Sequence, residues 1–377
     1  MTARATAGSG DGRPSLLLLT PDYPPEHGGI QLMSRRLAES IDRFDVRVVA
    51  LGGPAARELD RERPVSVRRV GGAGAPRAAR NALLNAVAFG EALRRRPRAA
   101  LAMHIALAPA LAAVGRVLGS ETAIIFHAEE ITARPALAAF AARRAAASIA
   151  VSSYTASLIA ATGATPARLR LIAPGVDIPH ETAPLPWERP VILTVARLEE
   201  RYKGHDTMIA ALPLLLAKVP DALWVVIGEG SLRPALERMA AGNGVAHAIR
   251  FLGAVADDER DLWLRRTSVL AMPSRLPAGG LAGEGFGIVY LEPGAFGKPV
   301  LAGDAGGARD SVLDGETGLR VDPRDPLAVA EGLTRLLLDP ELARRLGQGG
   351  ARRAQELTWP LFAARVQETM LEGLERG

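Results

Sequence analysis

Two glutamates stand on either side of a predicted helix start in the segment GEGFGIVYLE. Glu284 lies among glycines, which disfavour a helix, so we expect it in a loop. The apolar run that follows predicts a helix, with Glu292 about one and a half turns inside it. Backbone N–H groups at such a helix start donate to phosphate oxygens, and carboxylates accept hydrogen bonds from sugar hydroxyls. The pattern therefore predicts a nucleotide-sugar site. The N–H groups expected to bind phosphate are those of Phe286, Gly287 and Ile288.

Two cations follow a predicted strand in the segment TVARLEERYKGHD. Arg197 stands at the strand end and Lys203 in the loop beyond it. A surface ion pair is the simplest interpretation of both residues. The alternative is that they neutralise a departing diphosphate, as a transferase without a metal ion requires.

Two glycine pairs and one histidine also fall at predicted strand ends. Gly28 and Gly29 precede a helix, either as an ordinary cap or so that the backbone can approach a diphosphate or an acceptor. Gly228 and Gly230 follow the strand LWVVI, in a pattern that is weak by itself. His127 ends the strand in IIFHAEE, and it is either structural or in contact with a sugar. His104, at another strand end, competes with it for a site role.

Composition narrows the class of protein. The chain has 377 residues, 48% of them apolar and 4% aromatic, which predicts an ordered protein of two domains. It has no cysteine, so disulfides and thiolate metal sites are excluded. No metal-binding spacing of histidines and no Asp-x-Asp motif occurs either, so we expect no cofactor and no metal requirement.

The charge distribution and the first residues of the chain bear on its partners and its location. The formal net charge is +5, with arginine clusters at 94–96, 143–144 and 265–266. These clusters are typical of solvated helix faces, and the alternative is attraction to acidic substrates or an anionic membrane. No nucleic-acid motif is present. Residues 1–14 lack the apolar segment of a signal peptide and predict a flexible start, so we expect a cytoplasmic protein.

Short apolar runs alternate with amphipathic helical patterns, which is typical of parallel sheets covered by helices. The sequence predicts an α/β fold of two Rossmann-like, doubly wound parallel-sheet domains with a ligand cleft between them. Four prolines within fifteen residues, in VDIPHETAPLPWERP, predict a linker between the domains. The predicted bounds are 15–176 for the first domain, 177–190 for the linker, 191–357 for the second domain and 358–377 for a terminal helix.

The combination of ERYKGHD with GEGFGIVYLE resembles the retaining glycosyltransferases of family 4, which have the GT-B architecture. Among them it is most similar to bacterial GDP-mannose-dependent mannosyltransferases. The resemblance implies an acceptor-binding first domain, a donor-nucleotide-binding second domain and a terminal helix that returns to the first. In this chain Pro293 follows Glu292 where the family has a good helix former, which predicts a kink.

The same resemblance implies a role for each candidate residue. Glu292 would hold the ribose, Glu284 would orient the sugar, and Arg197 with Lys203 would neutralise the diphosphate. His127 would contact the donor sugar near the reacting carbon. The other donor-binding residues that we expect are Gly28, Gly29, Gly228, Gly230, Arg250, Phe251, Leu252 and Ser274.

The function implied is metal-independent transfer of a hexose, with mannose the first choice, from a nucleoside diphosphate sugar with retention of anomeric configuration. The acceptor would be a hydroxyl of a lipid-linked, glycan or small-molecule substrate. Alternatives are a UDP-sugar-dependent transferase of the same family that uses glucose or N-acetylglucosamine, an epimerase or a phosphorylase of related architecture, or a non-catalytic GT-B scaffold.

Overall fold

The computed structural model describes residues 12–26, 28–61, 64–71, 74–185, 187–277 and 283–376. These residues fall into two compact units. The first unit consists of the described parts of 1–151, 155–173 and 359–377, and the second of those of 152–154 and 174–358. Most of the segment predicted to be flexible, residues 1–11, lies outside the described residues.

The first unit has a parallel sheet whose described strands number seven. The strands are β1 (Ser15–Thr20), β2 (Asp45–Leu51), β3 (Ser66–Val70), β4 (Ala99–Ala102), β5 (Glu121–Phe126), β6 (Ala147–Ala150) and β7 (Leu169–Leu171). The helices are α1 (Gly29–Ser40), α2 (Pro54–Asp60), α3 (Arg77–Arg95), α4 (Ala108–Leu118), α5 (Ala128–Ala133), α6 (Pro135–Arg144) and α7 (Ser153–Ala161), with a 3-10 turn at Ile105–Leu107.

The second unit has a parallel sheet of six described strands. They are β8 (Val191–Val195), β9 (Leu223–Ile227), β10 (Ile249–Gly253), β11 (Val269–Met272), β12 (Val300–Gly303) and β13 (Gly318–Val321). Its helices are α8 (His205–Leu216), α9 (Arg233–Gly242), α10 (Asp257–Arg266), α11 (Leu291–Ala295), α12 (Ala308–Ser311), α13 (Pro326–Leu338) and α14 (Pro340–Glu356). The 3-10 turns are Arg201–Lys203, Ala246–Ala248 and Ile288–Tyr290.

Both sheets are buried on both faces, as continuous apolar strands require. In β8, Ile192 packs into one apolar cluster, while its neighbours Val191 and Leu193 pack into the cluster on the opposite face. Leu193 is in register with Val225 of β9 on one side and with Leu270 of β11 on the other. The prediction of two doubly wound parallel sheets is confirmed.

The strand orders place a switch point in each sheet. The first sheet has the order β3-β2-β1-β4-β5-β6-β7, and the second has the order β10-β9-β8-β11-β12-β13. From β1 the chain continues to β2 and β3 on one side and then returns to β4 on the other side of β1. From β8 it likewise continues to β9 and β10 and then returns to β11 on the other side. Open parallel sheets bind ligands at such switch points, beyond the carboxyl ends of the strands.

The described residues near the predicted domain boundaries each belong to one of the two units. Those of 177–190 belong to the second unit, where Trp187 lies 5.5 Å from Trp263 of α10 and beneath Arg266 at 4.5 Å. The last helix, α15 (Trp359–Arg376), belongs to the first unit. There Gln367 accepts hydrogen bonds from the backbone of Asp42 and Arg43 at 3.1 and 2.7 Å.

Candidate functional site

The loops after β8 and β11 meet at the switch point of the second sheet. Gly204, at the start of α8, has a φ of +81°, and a Cβ there would lie 2.2 Å from the carbonyl oxygen of Pro273. Arg275 donates its backbone N–H to the carbonyl of Tyr202 at 2.8 Å. Its guanidinium holds both carboxylate oxygens of Asp206, at 2.7 and 2.6 Å. These contacts fix the two loops side by side.

This junction brings Lys203 and Glu284 together, although 81 residues separate them in the chain. Lys203 donates from Nζ to Oε2 of Glu284 at 2.6 Å, and the two side chains are 12% and 15% exposed. Burial alone would lower the pKa of Lys203, but the negative charge of Glu284 outweighs it and raises that pKa above its usual value. Lys203 is therefore a permanent cation, and two of its three N–H donors are free of Glu284.

The loop that carries Glu284 is held from both sides. Gly287 has a φ of +89°, and a Cβ there would lie 2.5 Å from the ring of Tyr290 and 3.1 Å from Cγ of Glu284. The Tyr290 hydroxyl donates to the carbonyl of Met272 at 2.9 Å and lies 3.0 Å from the hydroxyl of Ser274. Burial, followed by the charge of Glu284, raises the pKa of Tyr290 well above its usual value, so its hydroxyl stays protonated.

Ser274 is itself buried, so its side chain positions Tyr290 in this structure. Sequence reasoning missed Tyr290, Asp206 and Arg275, since nothing in the spacing of these residues links them.

The predicted helix after Glu284 is shorter than expected. A 3-10 turn at Ile288–Tyr290 is followed by α11, which has five residues. Pro293 stands in the first turn of α11, where its missing N–H would have no partner in the helix, so it removes no helical hydrogen bond. Within the described residues, the backbone N–H groups of Phe286, Gly287 and Ile288 have no protein acceptor.

Glu292 lies in a predominantly acidic environment at the start of α11. Burial raises its pKa; Arg260 opposes this, whereas Asp261, Asp177 and Asp257 raise the pKa further. Arg260 is bound to Asp257 and Asp261, each at 3.0 Å. The negative charge of Glu292 is therefore opposed by burial and by three neighbouring carboxylates.

Arg197 is not joined to this pair in the structure. Its guanidinium is 61% exposed and contacts Glu200 at 2.6 Å. The two predicted glycines after β9 instead support the loop that carries Arg197. A Cβ on Gly228 would lie 1.9 Å from the carbonyl oxygen of Ala196, and one on Gly230 would lie 2.3 Å from the carbonyl carbon of Leu198.

Three of the predicted donor-binding residues, Arg250, Phe251 and Leu252, lie on β10, the edge strand beside β9. Arg250 is exposed, whereas Phe251 and Leu252 are half-buried. The Phe251 ring packs against Trp224, with the guanidinium of Arg233 5.8 Å from its centre. These three residues thus belong to an edge strand of the sheet whose loops carry Lys203 and Glu284.

In the first unit, His127 is a buried helix cap. It stands at the N-cap of α5, and its Nε2 lies 3.0 Å from the carbonyl oxygen of Met103. A carbonyl only accepts, so Nε2 carries the proton and Nδ1 is the acceptor. Burial lowers the pKa of His127, which keeps the ring neutral.

The carboxylate of Glu130 ties the ends of β4 and β5 together. It accepts the backbone N–H groups of His127 at 2.9 Å and of Ile105 at 2.8 Å, and it lies 3.0 Å from Nδ1 of His104. His104 also follows a strand end, as predicted from the sequence.

Gly28 caps α1, which begins at Gly29, and Leu32 donates to the Gly28 carbonyl at 2.9 Å.

Within the part of the chain that the structure describes, no group of three or more His, Cys, Asp or Glu side chains is arranged to hold a metal ion. Among the described helices, none is long and apolar enough to cross a membrane.

Two doubly wound parallel sheets in one chain are the fold of the GT-B class of glycosyltransferases. Two family models match successive parts of the chain. The model described as Glycosyltransferase Family 4 matches residues 27–179, and that described as Glycosyl transferases group 1 matches residues 178–353. Together the two models span residues 27–353, and the predicted resemblance to glycosyltransferase family 4 is confirmed.

The curated relatives resemble parts of the chain. A GDP-mannose-dependent alpha-(1-6)-phosphatidylinositol monomannoside mannosyltransferase of Mycolicibacterium smegmatis is 38% identical over 233 residues, which are 58% of this chain and 60% of that protein. A D-inositol 3-phosphate glycosyltransferase of Thermobispora bispora is 33% identical over 56% of this chain and 52% of that protein. The match therefore spans about 60% or less of the length of these relatives.

Solved structures resemble the chain over nearly its full length. Sucrose-phosphate synthase of Thermosynechococcus elongatus is 19% identical and covers 96% of this chain and 100% of its own, with a TM-score of 0.81. HepE of Anabaena, solved with UDP and glucose, is 19% identical and covers 95% of this chain and 100% of its own, with a TM-score of 0.78. At these identities the likeness establishes the fold alone.

Proposed function

We propose that this chain is a cytoplasmic hexosyltransferase that transfers mannose from GDP-mannose to an acceptor hydroxyl, with retention and without a metal ion. The acceptor would be a lipid-linked, glycan or small-molecule substrate. One observation carries the proposal: the buried Lys203–Glu284 pair at the carboxyl end of β8, 2.6 Å apart, beside backbone N–H groups that have no described protein acceptor.

Lys203 suits a leaving diphosphate because its positive charge, held in place by Glu284, would lie where negative charge develops. The bond between the anomeric carbon and the diphosphate oxygen would break, and the acceptor oxygen would bond to that carbon from the same face. The acceptor proton would pass to the departing phosphate oxygen. The free donors of Lys203 and the N–H groups of Phe286, Gly287 and Ile288 would stabilise the diphosphate.

The remaining candidate residues would hold the donor. Glu284 would accept hydroxyls of the hexose while paired with Lys203, and Glu292 would accept those of the ribose. Arg197, which is exposed on its loop, would turn from Glu200 toward the diphosphate. A contact between His127 and the sugar requires its Nε2–H to be shared between Met103 and a sugar oxygen.

The relatives support the donor and the acceptor class. The Mycolicibacterium smegmatis protein is named for GDP-mannose and for a phosphatidylinositol monomannoside, and the Thermobispora bispora protein for inositol 3-phosphate. These names favour mannose as the transferred sugar and an inositol-containing acceptor for this chain.

The test is release of GDP from GDP-mannose in the presence of phosphatidylinositol monomannoside or inositol 3-phosphate. Lys203→Ala and Glu284→Ala should each lower kcat/KM by roughly thirtyfold to a thousandfold, which corresponds to about 2–4 kcal/mol of transition-state stabilisation. Lys218→Ala, which changes an exposed lysine, is the matched control and should behave like the wild type. Unchanged rates in both site variants would remove the pair from the mechanism.

A further inference from the structure

A buried arginine, Arg69, lies on β3, an edge strand of the first sheet. It follows Arg68, and because successive residues of a strand point to opposite faces, the two guanidinium groups lie on different sides of the sheet. Arg68 pairs with the buried carboxylate of Glu91 on α3 and is itself 43% exposed. The side chain of Arg69 is only 1% exposed. A charge at such a depth needs a partner for its N–H groups.

The guanidinium of Arg69 connects three neighbouring elements. Its Nε and Nη2 donate to the two carboxylate oxygens of Asp60, the last residue of α2, at 2.7 and 2.9 Å. Its Nη1 donates to the carbonyl of Leu51, the last residue of β2, at 2.8 Å. Its Nη2 also donates to the carbonyl of Pro24, in the loop after β1. Four of the five N–H donors of the guanidinium are therefore used within the first unit.

The loop after β1 is held from two sides. On one side, the ring of Tyr23 packs against Arg69, with its centre 5.1 Å from Cζ, and Tyr23 is itself buried. On the other side, the carboxylate of Asp22 accepts a hydrogen bond from Nε2 of Gln31 on α1 at 3.2 Å. The loop starts at the switch point of the first sheet, where open parallel sheets bind ligands.

Stability alone does not account for an arginine at this position. A buried ion pair adds little net stability, because the loss of hydration offsets the attraction, and apolar side chains of the same volume often do as well. An apolar residue at position 69 would fill the space but would donate nothing to the carbonyl of Pro24. The planar guanidinium adds direction, since it fixes that carbonyl relative to α2 and β2.

We propose that Arg69, held in place by Asp60, is a positioning residue for the acceptor, because it fixes the loop after β1 that precedes Gly28 and Gly29. This inference rests on the proposed function, in which groups of the second unit hold the donor. Arg69 does not itself touch a substrate in this scheme, since its side chain is buried and its donors are used within the protein. Its loss should therefore impair the reaction of the acceptor and leave nucleotide binding unchanged.

The experiment compares Arg69→Lys with the wild type. Lysine keeps the charge, but its single ammonium lacks the planar fork that binds Asp60, Leu51 and Pro24 together. With GDP-mannose and phosphatidylinositol monomannoside, the kcat/KM for the acceptor should fall roughly a hundredfold, as expected for a misplacement of about 1 Å. GDP should raise the melting temperature of the variant as much as that of the wild type. Asp60→Asn should cause a smaller loss, because it leaves the contact with Pro24 in place.

A matched control is Arg168→Lys, which changes the other largely buried arginine–carboxylate pair of the first unit. Arg168 pairs with Glu121, and the two side chains are 13% and 11% exposed. Glu121 begins β5, so this pair lies at the amino ends of the strands, away from the switch point. Arg168→Lys should lower the melting temperature and keep the acceptor kinetics of the wild type. Equal losses of kcat/KM in both variants, or wild-type kinetics in Arg69→Lys, would overturn the proposal.

Hydrogen exchange of the backbone at residues 20–32 tests the role of Arg69 without a substrate. Exchange there should be faster in Arg69→Lys than in the wild type and unchanged in Arg168→Lys, since only the first variant releases the loop. If the wild type releases no GDP, the proposed function fails, but faster exchange in Arg69→Lys would still support the hold of Arg69 on the loop. Unchanged exchange in that variant would overturn it.

Discussion

Glu292 is a carboxylate whose surroundings oppose its own charge. Burial and the nearby Asp261, Asp177 and Asp257 raise its pKa, so the folded protein binds a proton there more tightly than the unfolded chain does. The charged form therefore costs stability, and this cost appears as the pH rises from the ordinary value of 4.5 through the raised folded pKa.

We expect Glu292→Gln to raise the melting temperature at pH 7.5 while it weakens GDP binding by roughly ten- to a hundredfold, the value of a lost hydrogen bond to a charged group. Thermal unfolding and calorimetry on the same preparation would measure both effects. Glu237→Gln, which changes a surface glutamate on α9, is the control. A variant that is neither more stable nor weaker in GDP binding would contradict this role for Glu292.

A second prediction at the residue scale concerns the buried His205 and the pH dependence of stability. It is 3% exposed, and neither ring nitrogen has a hydrogen-bond partner in the described structure. Burial, followed by the charge of Lys203, lowers its pKa from 6.5 to about 4. The unfolded chain therefore binds the proton first as the pH falls. This stability is complete above about pH 6.5 and is lost as the pH falls toward 4.

His205→Phe should remove this part of the acid sensitivity and keep the packing on Trp224, which lies 6.4 Å away. At pH 5 the variant should have gained roughly 2 kcal/mol relative to the wild type, compared with the difference at pH 7.5. Urea unfolding at the two pH values would measure it. An identical pH dependence in both proteins would assign the acid sensitivity to other groups.

At the scale of elements, the geometry of the candidate site depends on how two loops are joined. The bidentate contact between Asp206 and Arg275 connects the start of α8 to the loop after β11, and these are the segments that carry Lys203 and Glu284. Neither Asp206 nor Arg275 is among the residues proposed to contact the substrate. Their contact would affect catalysis only by positioning Lys203 and Glu284.

Asp206→Asn and Arg275→Gln should each lower kcat by roughly a hundredfold, the cost of a misplacement of about 1 Å, with a smaller change in the KM for the donor. The charge reversal Asp206→Arg with Arg275→Asp should restore part of the loss. Steady-state kinetics would measure this, and melting curves would show whether each variant is folded. A pure stability loss with unchanged kcat would show that the pair has no positioning role.

At the scale of the whole molecule, ligand binding should be visible in the stability of the fold. A nucleotide present at 100 times its Kd adds about 2.7 kcal/mol to the free energy of unfolding. We expect GDP to raise the melting temperature most and UDP next, with ADP and dTDP weaker. Silence of all four nucleotides in melting and calorimetry would favour the scaffold alternative over the transferase.

The same preparation tests the metal independence that we propose. Activity with GDP-mannose should survive EDTA, because the cations proposed to stabilise the diphosphate are side chains. Loss of activity that returns with added Mn²⁺ or Mg²⁺ would contradict the proposal.

Sequence alone determined the two parallel sheets and the family. Apolar strands such as Ser15–Thr20 and Val191–Val195 are buried on both faces, and that pattern is local. The short motifs ERYKGHD and GEGFGIVYLE, which contain Lys203 and Glu284, were likewise recognisable from the sequence alone. The strand Ser66–Val70 gives a weak signal in the sequence because it lies at the sheet edge and carries two adjacent arginines.

Only the tertiary structure decided which side chains meet. The contacts of Lys203 with Glu284 and of Asp206 with Arg275 join residues far apart in the chain, and no periodicity encodes such pairs. The inward direction of Glu91 was equally hidden, because four arginines from three elements neutralise it. Local patterns determine which elements form, whereas the packing of those elements brings charges together and determines their environment.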